Sequence, residues 1–308
     1  MIGAWLTGLA LGQSIEPGDL AVGDIDVQTF RPSLDLATFA TVDVAAHAAG
    51  GRLSTELVLG YHRDLLTYTL GDRRRRVVGD VGQANLLASW ARGPLRIGAG
   101  APVVLLVEGA APSERIGLGD VSLDGRVTLT RAESLVDVAV QGSVSLPTST
   151  LGDGLRWSGF TGSAALVASR QVGRLLGAIN LGWRGLPRRT LANTELDDVL
   201  EWRGAVGYAT PERTLAASIE ASGRIDARAP FDNRANHPVE LTAAVRTRFA
   251  DGAFLRVGAA RGITVGIGSP TVRAWAGLAY SPEPKVRAER PIPDWVRPPE
   301  PAPTDGPR

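Results

Sequence analysis

Charged side chains in this sequence occur one at a time between aliphatic residues, at every second position of several segments. The stretch 120–130 reads DVSLDGRVTLT, and 136–146 and 239–249 follow the same pattern. An extended chain points alternate side chains to opposite faces, so each segment has one ionic and one apolar face. Ionic faces that meet around a watery interior can pair with each other or contact a polar solute. The candidate interior residues are Glu56, Asp120, Asp124, Arg126, Asp137, Glu201, Arg203, Glu220, Arg224, Glu240, Arg246, Arg248, Arg256 and Arg273.

Residue types that serve catalysis or metal binding are scarce. The chain has no cysteine and three histidines, His47, His62 and His237, and none of them lies in the middle of a predicted strand. Hydrolysis needs a nucleophile, a base and an orienting group, and the usual base is a histidine. The sequence GLGD at 117–120 does not predict a phosphate-binding loop, because neither a lysine nor a helix pattern follows it. We therefore predict no enzymatic activity, catalytic residue, metal site or cofactor.

The charge balance excludes further classes. The 308 residues include 33 basic and 32 acidic side chains, a net charge of +1, whereas a dedicated nucleic-acid binder normally carries a basic excess. A nucleic-acid partner is therefore not predicted. The hydrophobic share of 44% is too high for a disordered chain. No stretch reaches the roughly 18 uninterrupted apolar residues of a transmembrane helix, so a chain that enters a membrane must do so as strands.

The two-residue period predicts an all-β chain. Alternation lasts for about ten residues in several segments, which is longer than the usual strand of a soluble protein. Twelve strands are predicted, an even number, as in single-chain membrane barrels. They lie near 51–61, 77–91, 95–105, 118–130, 135–146, 155–168, 174–184, 199–209, 214–224, 239–249, 253–260 and 271–281.

Short and long connections alternate between these strands. Tight turns rich in Gly, Pro and small polar residues are predicted around 92–94, 132–134, 171–173, 211–213 and 251–253, with longer polar connections between them. This order is typical of outer-membrane barrels, which have tight periplasmic turns and extended outer loops. Aromatic residues lie near both strand ends, which is typical of rings at the headgroup level. Examples are Trp90, Phe254 and Tyr280 near turns and Tyr61 and Trp157 near long loops.

Together these patterns predict an antiparallel, up-and-down transmembrane β-barrel of about 12 strands in the bacterial outer membrane. A charge facing lipid at mid-depth costs about 2–4 kcal/mol, so the ionic faces must point inward and the Leu and Val residues outward. A barrel of this size is too wide for side chains alone to fill easily, so the interior is either a narrow wet channel or a closed salt-bridge network. A soluble secreted β-sandwich, the remaining alternative, would bury the apolar faces instead.

Four consecutive arginines, Arg73, Arg74, Arg75 and Arg76, form the densest charge cluster, in the first long loop. Guanidinium groups bind phosphates through paired hydrogen bonds. The cluster is therefore a candidate contact for lipopolysaccharide phosphates at the outer leaflet. The alternative is a solvated run of charge without a partner, which is the commoner role of such runs.

The flanks differ from the predicted barrel, 51–281, in composition. Residues 1–12, MIGAWLTGLALG, are apolar and end in a small-x-small pattern, which predicts a signal peptide. Residues 13–50 contain weak β-like pieces and are predicted to form a periplasmic strap, an extra strand or a plug inside the lumen. Residues 282–308 are rich in proline and charge, which predicts an extended tail or linker.

Several short motifs between about 27 and 282 resemble known envelope barrels: VQTFRPSLD at 27–35, GLGDVSLDGRVTL from 117, SLPT at 145–148 and GLAYSP at 277–282. They resemble the N-terminal barrel of myxobacterial-type OmpA-family outer-membrane proteins and the transporter-like barrels related to the meta-pathway phenol-degradation protein. In the OmpA-type relatives an Asp-rich calcium-binding repeat and a peptidoglycan-binding domain follow the barrel. The Pro-rich tail stands in that place here, so the anchoring role is not transferred.

The last predicted strand, with Gly277 and Tyr280, partly resembles the assembly signal of outer-membrane proteins, which implies the barrel-assembly machinery as a partner. The predicted function is a channel or transporter for small solutes. The alternative is an OmpA-like structural envelope protein with a closed lumen, and the third candidate is the soluble β-sandwich. The expected partners are outer-membrane lipid, lipopolysaccharide and small solutes.

Overall fold

A computed structural model describes residues 22–282 of the chain, except 37, 71–72, 110–115, 132–133, 192–193, 213, 231–236 and 265. Within the strands, the side chains of 49, 68–70 and 73–74 are also outside the description. The predicted signal peptide, 1–12, and almost the whole predicted tail, 282–308, lie outside the described residues. Among the described residues no helix is long and apolar enough to cross a membrane.

Seventeen strands are numbered here in chain order over the described residues. They are β1 Ala48–Arg63, β2 Leu66–Leu70, β3 Arg73–Val78, β4 Val81–Gly93, β5 Leu95–Val107, β6 Gly117–Leu118, β7 Ser122–Thr128, β8 Asp137–Ser145, β9 Thr161–Val172, β10 Leu175–Gly185, β11 Arg189–Leu191, β12 Thr194–Leu196, β13 Val199–Ala209, β14 Leu215–Asp226, β15 Val239–Ala250, β16 Ala253–Gly262 and β17 Val272–Tyr280.

Twelve of these strands form a closed ring in which each pairs antiparallel with its two neighbours, in the order β1, β4, β5, β7, β8, β9, β10, β13, β14, β15, β16, β17. The last strand returns to the first, with Leu57 opposite Leu278, and the ring has no free edge. The predicted twelve-stranded antiparallel barrel is confirmed. The remaining strands lie in long connections: β2 pairs with β3, β11 with β12, and the two-residue β6 with β5.

One predicted strand is displaced. The sequence placed a strand at 155–168, whereas β9 runs from Thr161 to Val172. Leu155 and Trp157 belong instead to a loop and are buried in an apolar cluster above the barrel, at 1% and 5% exposure. An apolar residue at a loop position mimics a strand residue in the sequence because periodicity does not reveal what the side chain packs against.

The two ends of the barrel are unlike. At one end, called the turn end, Gly93, Gly173 and Gly252 adopt φ values of 56°, 59° and 70° in short connections. Glycine accepts this left-handed conformation without the penalty of a Cβ atom, which makes the tight hairpins possible. The other end, called the loop end, holds the long connections.

The outer surface of the barrel is an apolar band. Large aliphatic residues point outward from every barrel strand, among them Leu53, Leu86, Leu166, Ile219 and Leu278, each more than half exposed. A soluble protein rarely exposes so wide an apolar surface, whereas lipid covers it without cost. The opposite alternative, aliphatic faces packed against a second sheet, is wrong for this chain.

Residues 22–47, called the inner segment, lie inside the barrel. At the loop end, Asp26 forms a β-bridge with Leu155, and the Thr29 hydroxyl donates to the Gly268 carbonyl at 2.7 Å. At the turn end, a ring nitrogen of His47 lies 2.7 Å from the Thr130 carbonyl oxygen. The segment therefore crosses the lumen from the loop end to the turn end before the chain enters β1.

The loop end is covered by an apolar cluster, called the cap. It joins the start of the inner segment to the long connections and includes Val22, Ile25, Leu65, Val78, Leu151, Leu155, Trp157, Leu191 and Ile267. Trp157 is buried here, so the prediction that it belongs to an aromatic ring at the membrane surface is wrong. Phe254 also leaves that predicted ring, since it packs inward beside the Arg246 guanidinium at 5.2 Å.

Candidate functional site: the barrel interior

One arginine of the barrel wall ties the inner segment to the strands. The Arg96 guanidinium lies 2.9 Å from Asp35 and 2.8 Å from Asp43 of the inner segment, and 2.7 Å from Asp124 of β7. Arg96 is 1% exposed, so these ion pairs are shielded from bulk water. Burial alone would raise the pKa of Asp43, but the Arg96 charge and hydrogen bond lower it to about 2.

Arg126 of β7 adds a second attachment beside the first. Its guanidinium pairs with Asp35 at 2.5 Å and also donates to the carbonyl oxygens of Val44 and Ala46. The Asp35 carboxylate therefore receives two guanidinium groups from neighbouring wall strands. Backbone carbonyls that cannot join the barrel's own ladder are satisfied by wall side chains, as buried polar groups require.

On the β14 wall, the Glu220 side chain binds backbone groups of the inner segment. The Glu220 carboxylate accepts from the Ala40 and Thr41 amides at 2.7 and 2.8 Å and from the Thr41 hydroxyl at 2.8 Å. Glu220 is 1% exposed. On β10, the Asn180 side chain both accepts from the Asp43 amide and donates to the Asp43 carbonyl. The N–H and O–H donors of the inner segment thus satisfy a wall carboxylate that is buried away from bulk water.

The wall formed by β1, β16 and β17 carries two further ion pairs. Arg256 binds Glu56 through two hydrogen bonds and donates to the Phe39 carbonyl at 2.7 Å. Gly277 is required beside this pair, because a Cβ atom there would collide with the Glu56 carboxylate. Arg273 forms a two-bond pair with Glu240. This side of the lumen is closed by paired charges.

Arg273 also contacts the inner segment and β1. Its guanidinium lies 4.7 Å from the centre of the Phe30 ring and 2.8 Å from Nδ1 of His62. A guanidinium over an aromatic face is an attractive arrangement inside a protein. His62, one of the three histidines of the chain, is therefore part of the packing around the Glu240–Arg273 pair.

The lumen opens on the opposite side, between the inner segment and strands β5 to β13. A cavity of about 150 Å³ lies there. Hydroxyl and amide side chains line much of it, including Asn85, Ser122, Gln141, Ser143, Thr161, Ser163 and Asn180. Because such polar groups line it, a space far larger than the about 10–15 Å³ that one water molecule needs will hold water. A smaller space of about 50 Å³ adjoins it towards β14, and both are lined by Arg31, Arg184, Glu201 and Arg203.

Basic groups are concentrated where these two spaces meet. Arg184 binds Glu201 through two hydrogen bonds, at 2.7 and 3.3 Å, and Arg203 lies 3.6 Å from the same carboxylate. Arg31 of the inner segment forms no hydrogen bond or ion pair with any described residue. The neighbouring charge of Arg184, together with burial, lowers the pKa of Arg31 to about 10.

Most of the candidate interior residues point into the lumen from the barrel strands. Glu56, Asp124, Arg126, Glu201, Arg203, Glu220, Arg224, Glu240, Arg256 and Arg273 project from the inner faces of the strands, where most are engaged in the contacts above. Asp120 lies just before β7, not within a strand, and accepts from the Ser149 and Trp157 amides while lining the cavity. Arg224 donates to the Ile267 carbonyl at 2.6 Å.

The other three candidates lie towards the turn end. Asp137 is the first residue of β8. Arg246 stacks on Phe254, and Arg248 donates to the Glu212 carbonyl at 3.4 Å. These residues do not line either cavity space.

The arginine run lies on the β2–β3 hairpin of the first long connection. Arg76 pairs with Asp64 at 2.5 Å and with Asp80 at 3.1 Å, while Arg75 is exposed. The side chains of Arg73 and Arg74 lie outside the described residues. Part of the run is thus engaged by acids of its own loop, which reduces the charge that it can offer to a phosphate.

The strand pattern in the sequence did not identify several of the interior residues. Arg96 lies in a strand rich in Gly and Ala, whose alternation is weak, and Arg184 follows an exposed tryptophan at the end of β10. Arg31, Asp35 and Asp43 belong to a segment without periodicity. The alternation of Arg96 with Leu95 and Ile97 was the available signal. No sequence pattern reveals that a non-repetitive segment crosses a lumen.

Comparisons with known proteins address the fold. No protein-family model and no curated protein matches this sequence. The fold is similar to that of the solved COG4313 outer membrane channel from Pseudomonas putida F1, with a TM-score of 0.61 and 12% identity over 78% of this chain and 99% of that chain. It is also similar to the NanC porin, with a TM-score of 0.53 and 9% identity over 73% of this chain and 98% of that chain.

At these identities the likeness concerns architecture, and the narrower resemblance to OmpA-type envelope barrels and to the phenol-degradation-related transporters stays a prediction. The apolar exterior and the closed antiparallel ring agree with the predicted location in the bacterial outer membrane. The chain therefore has the fold of an outer-membrane β-barrel, of the kind found in channels and porins.

Proposed function

We propose that this protein is an outer-membrane channel that admits small polar solutes along the space between the inner segment and the β5–β13 wall. The observation that carries the proposal is the cavity of about 150 Å³ on that side of the lumen, whose lining includes many hydroxyl, amide and charged side chains. Its hydroxyl and amide groups can replace the hydrogen bonds that a solute leaves behind in water. No catalytic role is proposed.

Conductance in planar bilayers tests this function. Protein folded in detergent, identified by its altered gel migration before boiling, should give small discrete conductance steps. Ser163→Trp, which places a large ring in the cavity, should reduce each step, because Ser163 lines that space. The matched control Leu166→Trp changes a lipid-facing position on the same strand, more than half exposed, and should leave the steps unchanged. Folded protein without conductance would contradict the proposal.

A closed structural barrel is the second candidate. Two observations favour it: the buried ion pairs that fix the inner segment and the apolar cap over the loop end. If the barrel is closed, the folded full chain should be silent in bilayers and a variant without residues 22–47 should conduct. Conduction by the full chain at the same level as the shortened variant would exclude this candidate.

Lipid contact through Arg73–Arg76 is a separate proposal. The hairpin that carries the run extends from the loop end, where the outer leaflet is expected to lie. Replacing all four arginines with serine should lower the amount of lipopolysaccharide that co-purifies with the barrel. Unchanged lipid content would sink the proposal and favour a solvated run. Recognition by the barrel-assembly machinery is likewise proposed, from the last-strand resemblance alone.

A further inference from the structure

The balance of charge is uneven around the cavity. On its β7 side, the carboxylates of Asp43 and Asp124 are already bonded to Arg96. On its β10–β13 side, the guanidinium groups of Arg184 and Arg203 share the single carboxylate of Glu201. Arg31 projects into the same space from the inner segment, and no described residue supplies a hydrogen bond or ion pair to it.

We propose that Arg31, Arg184 and Arg203 form a binding site for a small oxyanion, of the phosphate or carboxylate class, inside the lumen. The site deepens the proposed function, because it names the class of solute that the cavity would admit. With Arg224, Asp26 and Asp120, which line the same two spaces, this region holds four guanidinium groups against three carboxylates, so one positive charge is in excess. Such an excess is stabilised by a bound anion.

The remaining acids of this region do not remove the excess. Burial raises the pKa of Asp26, and the Asp26 carboxylate is occupied by the Gln28 amide at 2.9 Å. Burial also raises the pKa of Asp120, which accepts hydrogen bonds from the Ser149 and Trp157 amides. Both carboxylates are thus already hydrogen-bonded to backbone amides, and with Glu201 they still number one fewer than the four guanidinium groups of the region.

The chemistry of the arginines defines the ligand class. A guanidinium is a planar group with several N–H donors, and two such donors match the two oxygens of a carboxylate or phosphate. Arg184 is held in place by Glu201, and Arg203 is held by its hydrogen bond to the Thr41 carbonyl at 3.0 Å. The wall side of the site is thus arranged in advance, and the donors of Arg31 have no acceptor among the residues that the structure describes.

Calorimetric titration of the full-length barrel in detergent tests the site. The probes are inorganic phosphate and succinate, with chloride at equal ionic strength as the reference. Wild-type protein should bind at least one of the two probes. Arg31→Gln should weaken that binding by roughly 10- to 100-fold, the loss expected for one or two charge-assisted hydrogen bonds. Arg75→Gln, on the exposed outer hairpin, is the matched control and should bind as the wild type does.

A second variant gives a change of opposite sign. Glu201→Gln removes the one carboxylate shared by Arg184 and Arg203 and should therefore tighten anion binding. Absence of phosphate and succinate binding by folded wild-type protein overturns the site, as does equal affinity of the wild type and Arg31→Gln. Binding without bilayer conductance would keep the site and reject the channel, whereas conductance without binding would keep the channel and reject the site.

Discussion

The two halves of the inner segment meet the barrel in opposite ways. Towards the turn end, Asp35 and Asp43 lie against Arg96 and Arg126 of the wall, and acids and bases are matched. Towards the loop end, Arg31 lines the same cavity as Arg184 and Arg203, and no described residue forms a hydrogen bond or ion pair with it. One chain segment therefore supplies both a firm attachment and a wall of the cavity.

The difference between the two halves shows how a segment inside a wide barrel can narrow the lumen and still leave a cavity. Paired charges in a low-dielectric interior fix a geometry, because breaking one pair leaves its partner buried and unsatisfied. A charged side chain without a bonded partner instead keeps water molecules around it, and a polar ligand can replace those water molecules. The anchored half is residues 33–47, and residues 22–32 are called the open half because Arg31 lines the cavity there. The contrast between them can be tested by changing one side at a time.

The largest effect is expected at the centre of the anchored half. Arg96→Met leaves Asp35, Asp43 and Asp124 without a shared guanidinium and should destabilise the folded barrel by about 3–5 kcal/mol, the usual cost of an uncompensated buried charge. Denaturant unfolding in detergent measures it. Arg92→Met, at an exposed position of β4, is the control and should change stability by less than about 0.5 kcal/mol. Similar values for the two variants would show that the attachment contributes little.

A smaller loss is expected at Glu220, which binds backbone groups of the inner segment and has no cationic partner among the described side chains. Glu220→Gln keeps the shape but turns its amide NH2 towards the donors of either Ala40 or Thr41, so stability should fall by about 1.5–3 kcal/mol. Bilayer recordings of the same variant should show noisier current, since the segment is released on one side. Glu212→Gln in the exposed β13–β14 turn serves as the control. Identical stability of both variants would contradict this role of Glu220.

Acid should weaken the anchored half through Asp43. Its folded-state pKa lies below its ordinary value, so the stabilisation is present above about pH 4 and is lost as the pH falls towards about 2. The loss should be about 2 kcal/mol for this group. Unfolding measured between pH 5 and pH 2 should therefore be less pH-dependent in Asp43→Asn than in the wild type. An equal dependence in both would assign the acid sensitivity to other carboxylates.

The smallest effect on stability is expected in the open half. Arg31→Met is the same chemical change as Arg96→Met, but it removes a charge that is repelled by Arg184 and has no bonded partner within the described part of the chain. Stability should stay within about 0.5 kcal/mol of the wild type, or rise, because a like-charge repulsion is lost. A loss comparable to that of Arg96→Met would erase the distinction between the two halves.

Most strands of the barrel could be predicted from the sequence. Eleven of the twelve strands lie where alternation places them, within a few residues at each end, because lipid outside and water inside impose a strict two-residue period. The exception, at 155–168, occurs where Leu155 and Trp157 imitate that period in a loop. The inward position of Glu220, Arg256 and Arg273 follows from the same rule.

The interior arrangement depended on tertiary structure. Strand alternation predicts that Arg203 and Glu240 point inward. It does not predict that Arg203 shares the Glu201 carboxylate with Arg184, or that Glu240 pairs with Arg273. These partners are set by strand register and by the path of the inner segment, neither of which leaves a local pattern.

By itself, the sequence determined that the chain closes into a twelve-stranded barrel with an apolar outside, since burial period and connection length are local properties. Only the tertiary structure decided that residues 22–47 cross the lumen, that Asp35 and Asp43 anchor them, and that Arg31 remains open to the cavity. The physical reason is that ion pairing in a buried interior depends on distances between residues far apart in the chain, and no local periodicity encodes those distances.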